Sequence, residues 1–224
     1  MVEVESRTPP SRAVVYRPEH AGDVARALAG AFAADPMMLA MLPDDRRRAR
    51  VLPRYFTSVL KLARREGVVY VSRSSDAADA AADGAVVAMP PGTYPLSLMP
   101  QIREVPTMVQ AGWRATMSNF RDVPFVDAVH PTLPHWYVMY LGMAPAAQGG
   151  GKGGELLRRV LDHADDDGLP TYLVTMKAEN PAYYQGFGFS VRDTTTYGPT
   201  GPTTWTMLRP PGAIAAVAAD EVAS

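Results

Sequence analysis

Between Ala147 and Leu157 the chain reads AQGGGKGGELL, with five glycines in six positions running straight into a leucine-rich segment. Glycine gives up more conformational freedom on folding than any other residue. A cluster this dense therefore marks a place where the bare backbone itself must approach something closely. The run follows a strand stopped by Pro145 and precedes a helix whose Leu156, Leu157, Val160, Leu161 and Ala164 fall on one stripe. The first turn of such a helix carries N–H groups without intrahelical partners, and its dipole is positive at that end. Unencumbered amides converging there form a cradle for phosphate.

Composition narrows what else the chain can be. With 224 residues, 47% of them apolar and 20% charged, it can bury a full core, and one domain over residues 13–211 is expected, with a flexible start at 1–12 and a tail at 212–224. The formal net charge of −1 supplies no field that would draw nucleic acid or an acidic membrane, so neither is expected as a partner. The absence of cysteine excludes disulfides, zinc–thiolate sites and a thiol nucleophile. His20, His130, His135 and His163 show no metal-ligand spacing, so no metal is expected. The opening residues lack the continuous apolar core of a signal peptide and no stretch reaches the length of a membrane span, which gives a cytoplasmic expectation.

Along the chain, short strands alternate with helices. A strand is expected from Ala13, then a helix carrying Val24, Leu28, Ala31 and Phe32 and ending near Pro36. A second helix over DDRRRARVLPRYFTSVLKLARREG is expected to break near Pro53, with Arg46 to Arg48 on a solvated face. GVVYVSR and GAVVAMPPG read as paired strands around an alanine-rich loop. The proline-punctuated stretch from Tyr94 to Pro131 is the least legible. From His135 onward the order is strand, glycine loop, helix, strand TYLVTM, the segment ENPAYYQGFGF, and two further strands.

Three phosphate cradles compete for the loop. A Walker loop needs Ser or Thr after its lysine, and Lys152 is followed by Gly153. Gly149, Gly151 and Gly154 satisfy the G-x-G-x-x-G dinucleotide fingerprint, but the next strand ends without the acidic residue that would hold a ribose. The third fits best. Gln148, Gly151 and Gly153 stand as Q-x-x-G-x-G after LGMAP and before ELL. Together with Asn180, Tyr184, Gly188 and Phe189 this resembles the coenzyme A loop and the late N-x-x-x-Y-x-x-x-G-F segment of the GCN5-related N-acetyltransferase (GNAT) superfamily. The run from His135 to Arg209, Trp205 included, is similar to the branch that contains puromycin N-acetyltransferase.

That resemblance implies an α/β fold with a mixed, mostly antiparallel sheet flanked by helices, in which a splayed parallel strand pair forms the slot for acetyl-CoA. It implies that Gln148, Gly149, Gly150, Gly151, Lys152, Gly153 and Gly154 hold the diphosphate, with Lys152 alternatively a solvated lysine at the loop tip. Gly142 within its strand suits a bulge or bend where the sheet opens. Leu141 and Met143 would then pair with the pantetheine amides, and the Met143 N–H would hold the thioester oxygen. Asn180 would bond near the pantetheine arm, or cap the helix that Pro181 begins.

Tyr184 matches the position at which the superfamily generally uses a tyrosine to protonate the departing sulfur, and the spacing to Gly188 selects it over Tyr183. A phenol near pKa ~10 stays protonated beside a thiol near ~8.5. Relatives often have a glutamate in the strand before the asparagine, where this chain has Val174. His135, Glu179 or a water chain would then serve as base. The expected activity is transfer of acetyl from acetyl-CoA to a primary amine, that of a small molecule ahead of a protein, with a homodimer as the candidate assembly. The alternative is an acyl-CoA-binding sensor without turnover. Phe32, Trp113, Phe120 and Phe125 would line the acceptor pocket or belong to the core.

Overall fold

The computed structural model describes residues 13–75, 80–93, 130–197 and 201–213. Seven strands form one sheet: β1 (Ala13–Val15), β2 (Val68–Arg73), β3 (Ala82–Met89), β4 (Trp136–Met143), β5 (Thr171–Thr175), β6 (Ser190–Thr196) and β7 (Thr203–Arg209). Their order is β1-β2-β3-β4-β5-β7-β6, and every neighbouring pair is antiparallel except β4 and β5. Between the strands lie α1 (Ala21–Phe32), α2 (Pro36–Met41), α3 (Asp45–Glu66), α4 (Lys152–Asp166) and α5 (Asn180–Gln185). Trp113, Phe120 and Phe125, with the whole stretch 94–129, lie outside the described residues.

The central strands of the sheet are covered on both faces. On one side α1 and α3 contribute Val24, Leu28, Leu52, Phe56 and Leu60, which pack against Val69, Val71, Ala85 and Val87. On the other, the stripe Leu156, Leu157, Val160, Leu161 and Ala164 of α4 is fully buried against Val86, Ala88, Val138, Leu173 and Met207. The parity of β3 explains the split: its alternate residues Ala85 and Val87 face α1, and Val86 and Ala88 face α4.

Two expectations about α3 are corrected. Pro53 lies inside one continuous helix, where its missing donor and ring cost little enough for surrounding apolar packing to hold the helix together. Thr57 Oγ1 bonds the Pro53 carbonyl at 2.8 Å. Arg48 does not lie on a solvated face; it is buried. Its Nε donates to the Ala33 carbonyl at 2.7 Å, its Nη1 to the Leu42 carbonyl at 2.7 Å, and its Nη2 pairs with Asp45. One guanidinium thus satisfies the carbonyls that end α1 and α2, fixing the residues between them.

Candidate functional site

β4 and β5 are paired only from Trp136–Thr171 to Val138–Leu173. Beyond that point β5 continues beside β7, while β4 continues beside β3 alone. The two parallel strands part, and the edge of β4 from Met139 to Met143 is left open toward β5. The cause is visible in the β3–β4 register, where Val87 faces Tyr140 and Ala88 faces Val138, so Met139 is an extra residue. A bulge of this kind bends a strand and increases its twist. The opening is therefore set at Met139 and not, as the sequence suggested, at Gly142.

Gly142 has a different reason to be glycine. A Cβ there would lie 2.8 Å from Phe32 Cε2 and 2.9 Å from Ala31 Cβ. The last turn of α1 sits directly on the strand at this residue.

Along the open edge the backbone polar groups of alternate residues point away from β3. Ala144 N donates to the Asp83 carbonyl at 2.7 Å, which marks a hydrogen-bonded pair. Antiparallel ladders alternate such pairs with pairs whose polar groups point away from the partner. Stepping back along β4 through the register Met143–Gly84, Gly142–Ala85 and Leu141–Val86, the N–H and C=O of Met143 and Leu141 face the opening. Gln148 Nε2 donates to the Met143 carbonyl at 3.0 Å.

The glycine loop continues from this edge. Gly149 and Gly151 have left-handed φ values of 82° and 73°, and Gly151 is the residue before α4. A Cβ on Gly149, Gly150 or Gly151 would meet nothing within 4 Å, so these glycines are not there to pack against protein. Gly153 and Gly154 have a packing reason as well. A Cβ on Gly154 would lie 3.0 Å from the Phe187 ring, and one on Gly153 would lie 3.5 Å from the Tyr183 hydroxyl.

Lys152 is neither a free lysine at the loop tip nor directed at an open anion site: its Nζ pairs with Asp83 at 2.5 Å. The Asp83 carbonyl holds Ala144 and its carboxylate holds Lys152, so β3 pins both ends of the loop. Such pinning orders the loop before any ligand arrives.

Across the gap, α5 positions two tyrosines differently. Tyr183 is exposed, with its hydroxyl beside Gly153. Tyr184 is buried in the α4-side core against Phe189. Burial, reinforced by the Tyr183 ring and the charge of Asp35, raises the Tyr184 phenol far above its ordinary range, so it is protonated. Asn180 is the first residue of α5, after Glu179 at the cap position, and its amide donates to Thr175 Oγ1 at 2.7 Å, tying α5 to the end of β5.

The far end of α5 is held as firmly. Arg209, fully buried, donates through Nε to the Phe187 carbonyl at 3.0 Å and forms a two-pronged pair with Asp165 at 2.7 and 2.8 Å. That guanidinium holds the Asp165 carboxyl below its usual range.

Leu141 and Met143 stand on the open edge beside the glycine loop and pack against the core cluster that holds Tyr184, Asn180 ties α5 to the end of β5, and His135 lies apart from them. His135 precedes β4 at the end where the two strands are still paired, with its Nδ1 bonded to the Leu133 carbonyl at 2.7 Å. Glu179 is exposed at the start of α5. Sequence reasoning did not single out Asp35. It caps α2 by accepting from Met37 N at 3.0 Å, and the pair Asp35–Pro36 was the signal available, since Asp before Pro opens helices well.

Residues 115–189 match the model of the acetyltransferase (GNAT) family. The described residues form a seven-stranded, mostly antiparallel sheet with one parallel pair, flanked by helices, and this fold is shared with solved acetyltransferase structures. It is similar to the crystal structure of histone acetyltransferase HPA2 and related acetyltransferase from Corynebacterium glutamicum, with 21% identity, 89% of this chain and 96% of that one covered, and a TM-score of 0.66. It is also similar to arylalkylamine N-acetyltransferase 2 from Aedes aegypti, at 13% identity, 89% and 98% coverage and a TM-score of 0.60. An uncharacterized N-acetyltransferase of Schizosaccharomyces pombe is 35% identical over 54 residues, 24% of this chain and 22% of the relative. The chain thus matches less than a quarter of the length of that curated relative. Among the described residues, no group of acidic or histidine side chains could hold a metal ion, and no helix is long and apolar enough to cross a membrane.

Proposed function

We propose that the protein is an acetyl-CoA-dependent N-acetyltransferase that acetylates a primary amine of a small molecule, with both reactants held together in one cleft. The observation that carries this reading is the continuity of the open β4 edge with a left-handed glycine loop whose Gly149, Gly150 and Gly151 face empty space at a helix entrance. An anionic diphosphate fits amides arranged in this way. Acetyl-CoA, when bound, supplies the acetyl group as an activated thioester.

The chain's own residues supply the rest. The amides from Gly149 to Gly154 take the diphosphate, and Leu141 and Met143 offer β-type partners to the amide-bearing arm. The Leu141 N–H lies deeper along the edge than that of Met143, so it is the better placed to polarise a thioester carbonyl at the far end of the arm. Tyr184 keeps its proton until the sulfur departs. Holding nucleophile and thioester in line contributes about 7 to 11 kcal/mol when orientation is good.

Thiol release from acetyl-CoA, followed with and without a panel of primary amines, tests the reading. Amine-dependent release supports an acetyltransferase. Cofactor binding with no acceptor in a broad panel points instead to a sensor of the same fold.

A further inference from the structure

β5, Thr171–Thr175, holds no acidic residue, so the acceptor amine has no carboxylate from that strand. A carboxylate stands instead on the segment that follows α1. Phe32 closes α1 against Gly142 and meets the Tyr140 ring edge-on at 5.5 Å, which seats the end of α1 on the open part of β4. Asp35 follows within one turn, its N–H bonded to the Phe32 carbonyl at 3.1 Å. Arg48 grips the Ala33 and Leu42 carbonyls on either side, and Met38 is buried in the α1–α3 core, so the Asp35 segment is fixed in place.

From the other side of the gap, two groups feel Asp35. Its charge acts on the Tyr184 phenol of α5, and the Lys177 ammonium just beyond β5 acts on Asp35. Asp35 is thus anchored, through Phe32, to the end of α1 that rests on the open part of β4, and its charge is felt by Tyr184. Burial raises its carboxyl, against the backbone bond from Met37 and the Lys177 charge, which favour the ionised form. It makes no ion pair among the described residues.

We propose that Asp35 is the catalytic carboxylate that receives a protonated primary amine and takes one of its protons; this rests on the acetyltransferase reading above. In the step that follows, the freed nitrogen lone pair forms the C–N bond to the acetyl carbon. The C–S bond breaks and its electron pair leaves on sulfur. Tyr184 gives the sulfur a proton and recovers one from the nitrogen, while Asp35 passes its proton to solvent. A raised carboxyl suits this work, because it holds a proton more readily than an exposed aspartate does.

The test compares wild type with Asp35→Asn, which retains the capping of α2 because Asn caps as well as Asp. Asp35→Ser serves as a second cap-preserving variant. Benzylamine, tyramine and spermidine are protonated probes at pH 7; hydroxylamine is a nucleophile already neutral there. Both variants should bind acetyl-CoA with wild-type affinity by calorimetry. Their kcat/KM for the protonated amines should fall about 100-fold or more. Rates with hydroxylamine should change little, and the deficit with amines should shrink as pH rises and neutral amine accumulates. Equal losses on both nucleophiles, no loss, or a wild type that acetylates hydroxylamine but no protonated amine would overturn the inference alone. Failure of the wild type to bind acetyl-CoA would take down the underlying reading, and this one with it.

Discussion

Phe32 occupies the space that a side chain at position 142 would need: its Cε2 lies 2.8 Å from where a Cβ would stand, with Ala31 Cβ at 2.9 Å. Gly142→Ala must therefore push the last turn of α1 away from β4. Overpacking of this kind typically costs about 1 to 3 kcal/mol. Urea denaturation should show that loss, and acetyl transfer should fall beyond it, since the displaced turn leads to Asp35. A variant as stable as wild type would show that α1 does not bear on β4 here.

Two neighbouring glycines separate backbone strain from ligand approach. Gly151 has a left-handed φ of 73°, so Gly151→Ala should destabilise the free protein by roughly 1 to 2 kcal/mol. Gly150 has no such φ and faces open space, so Gly150→Leu should leave the melting temperature of the free protein nearly unchanged. Its affinity for coenzyme A should nonetheless drop about tenfold or more, a difference of about 1.4 kcal/mol by titration calorimetry. Unchanged affinity in Gly150→Leu would place the ligand away from the loop.

The two tyrosines of α5 should behave differently. Tyr184→Phe removes a buried phenol and should lower kcat by about 100-fold while leaving the dissociation constant of acetyl-CoA in place. Tyr183→Phe removes an exposed hydroxyl beside Gly153 and should affect cofactor affinity modestly and kcat little. A reversal of the two effects would assign the proton to Tyr183.

Arg209 and Asp165 link acid stability to the position of α5. Because the folded Asp165 carboxyl titrates below its usual value, the pair's contribution is present above the unfolded carboxyl range, near pKa ~3.9, and is lost as pH falls through the depressed value. Melting temperature should fall along that limb in wild type. Asp165→Asn should be less stable at pH 7, because it leaves the fully buried Arg209 without its anion, and should show a flatter acid limb. Parallel limbs in the two proteins would remove this pair from the account.

What could be read without coordinates follows from how local each signal was. The α4 stripe, the strand before the loop and the order of the late elements were legible because burial periodicity and glycine placement act within one segment. Arg48 was misread because its role depends on carbonyls from Ala33 and Leu42, which only tertiary folding brings together. Gly142 was recognised as unusual, yet its cause lies across the interface in Phe32 and Ala31, and the opening it was thought to make belongs to the extra residue Met139. Lys152 looked available for an anion because Asp83, its partner, is 69 residues away. Asp35 carried only the ordinary signature of a helix cap, and nothing in the sequence linked its charge to Tyr184.

The central claim is that one opening holds the whole acyl carrier, and a crystal structure of the protein with acetyl-CoA tests it most directly. The account predicts the diphosphate against the amides of Gly149 to Gly154, the arm along the β4 edge at Leu141 and Met143, and the sulfur within hydrogen-bond reach of the Tyr184 hydroxyl. Density for the carrier at any other place on the protein, or none at a saturating concentration, would contradict it.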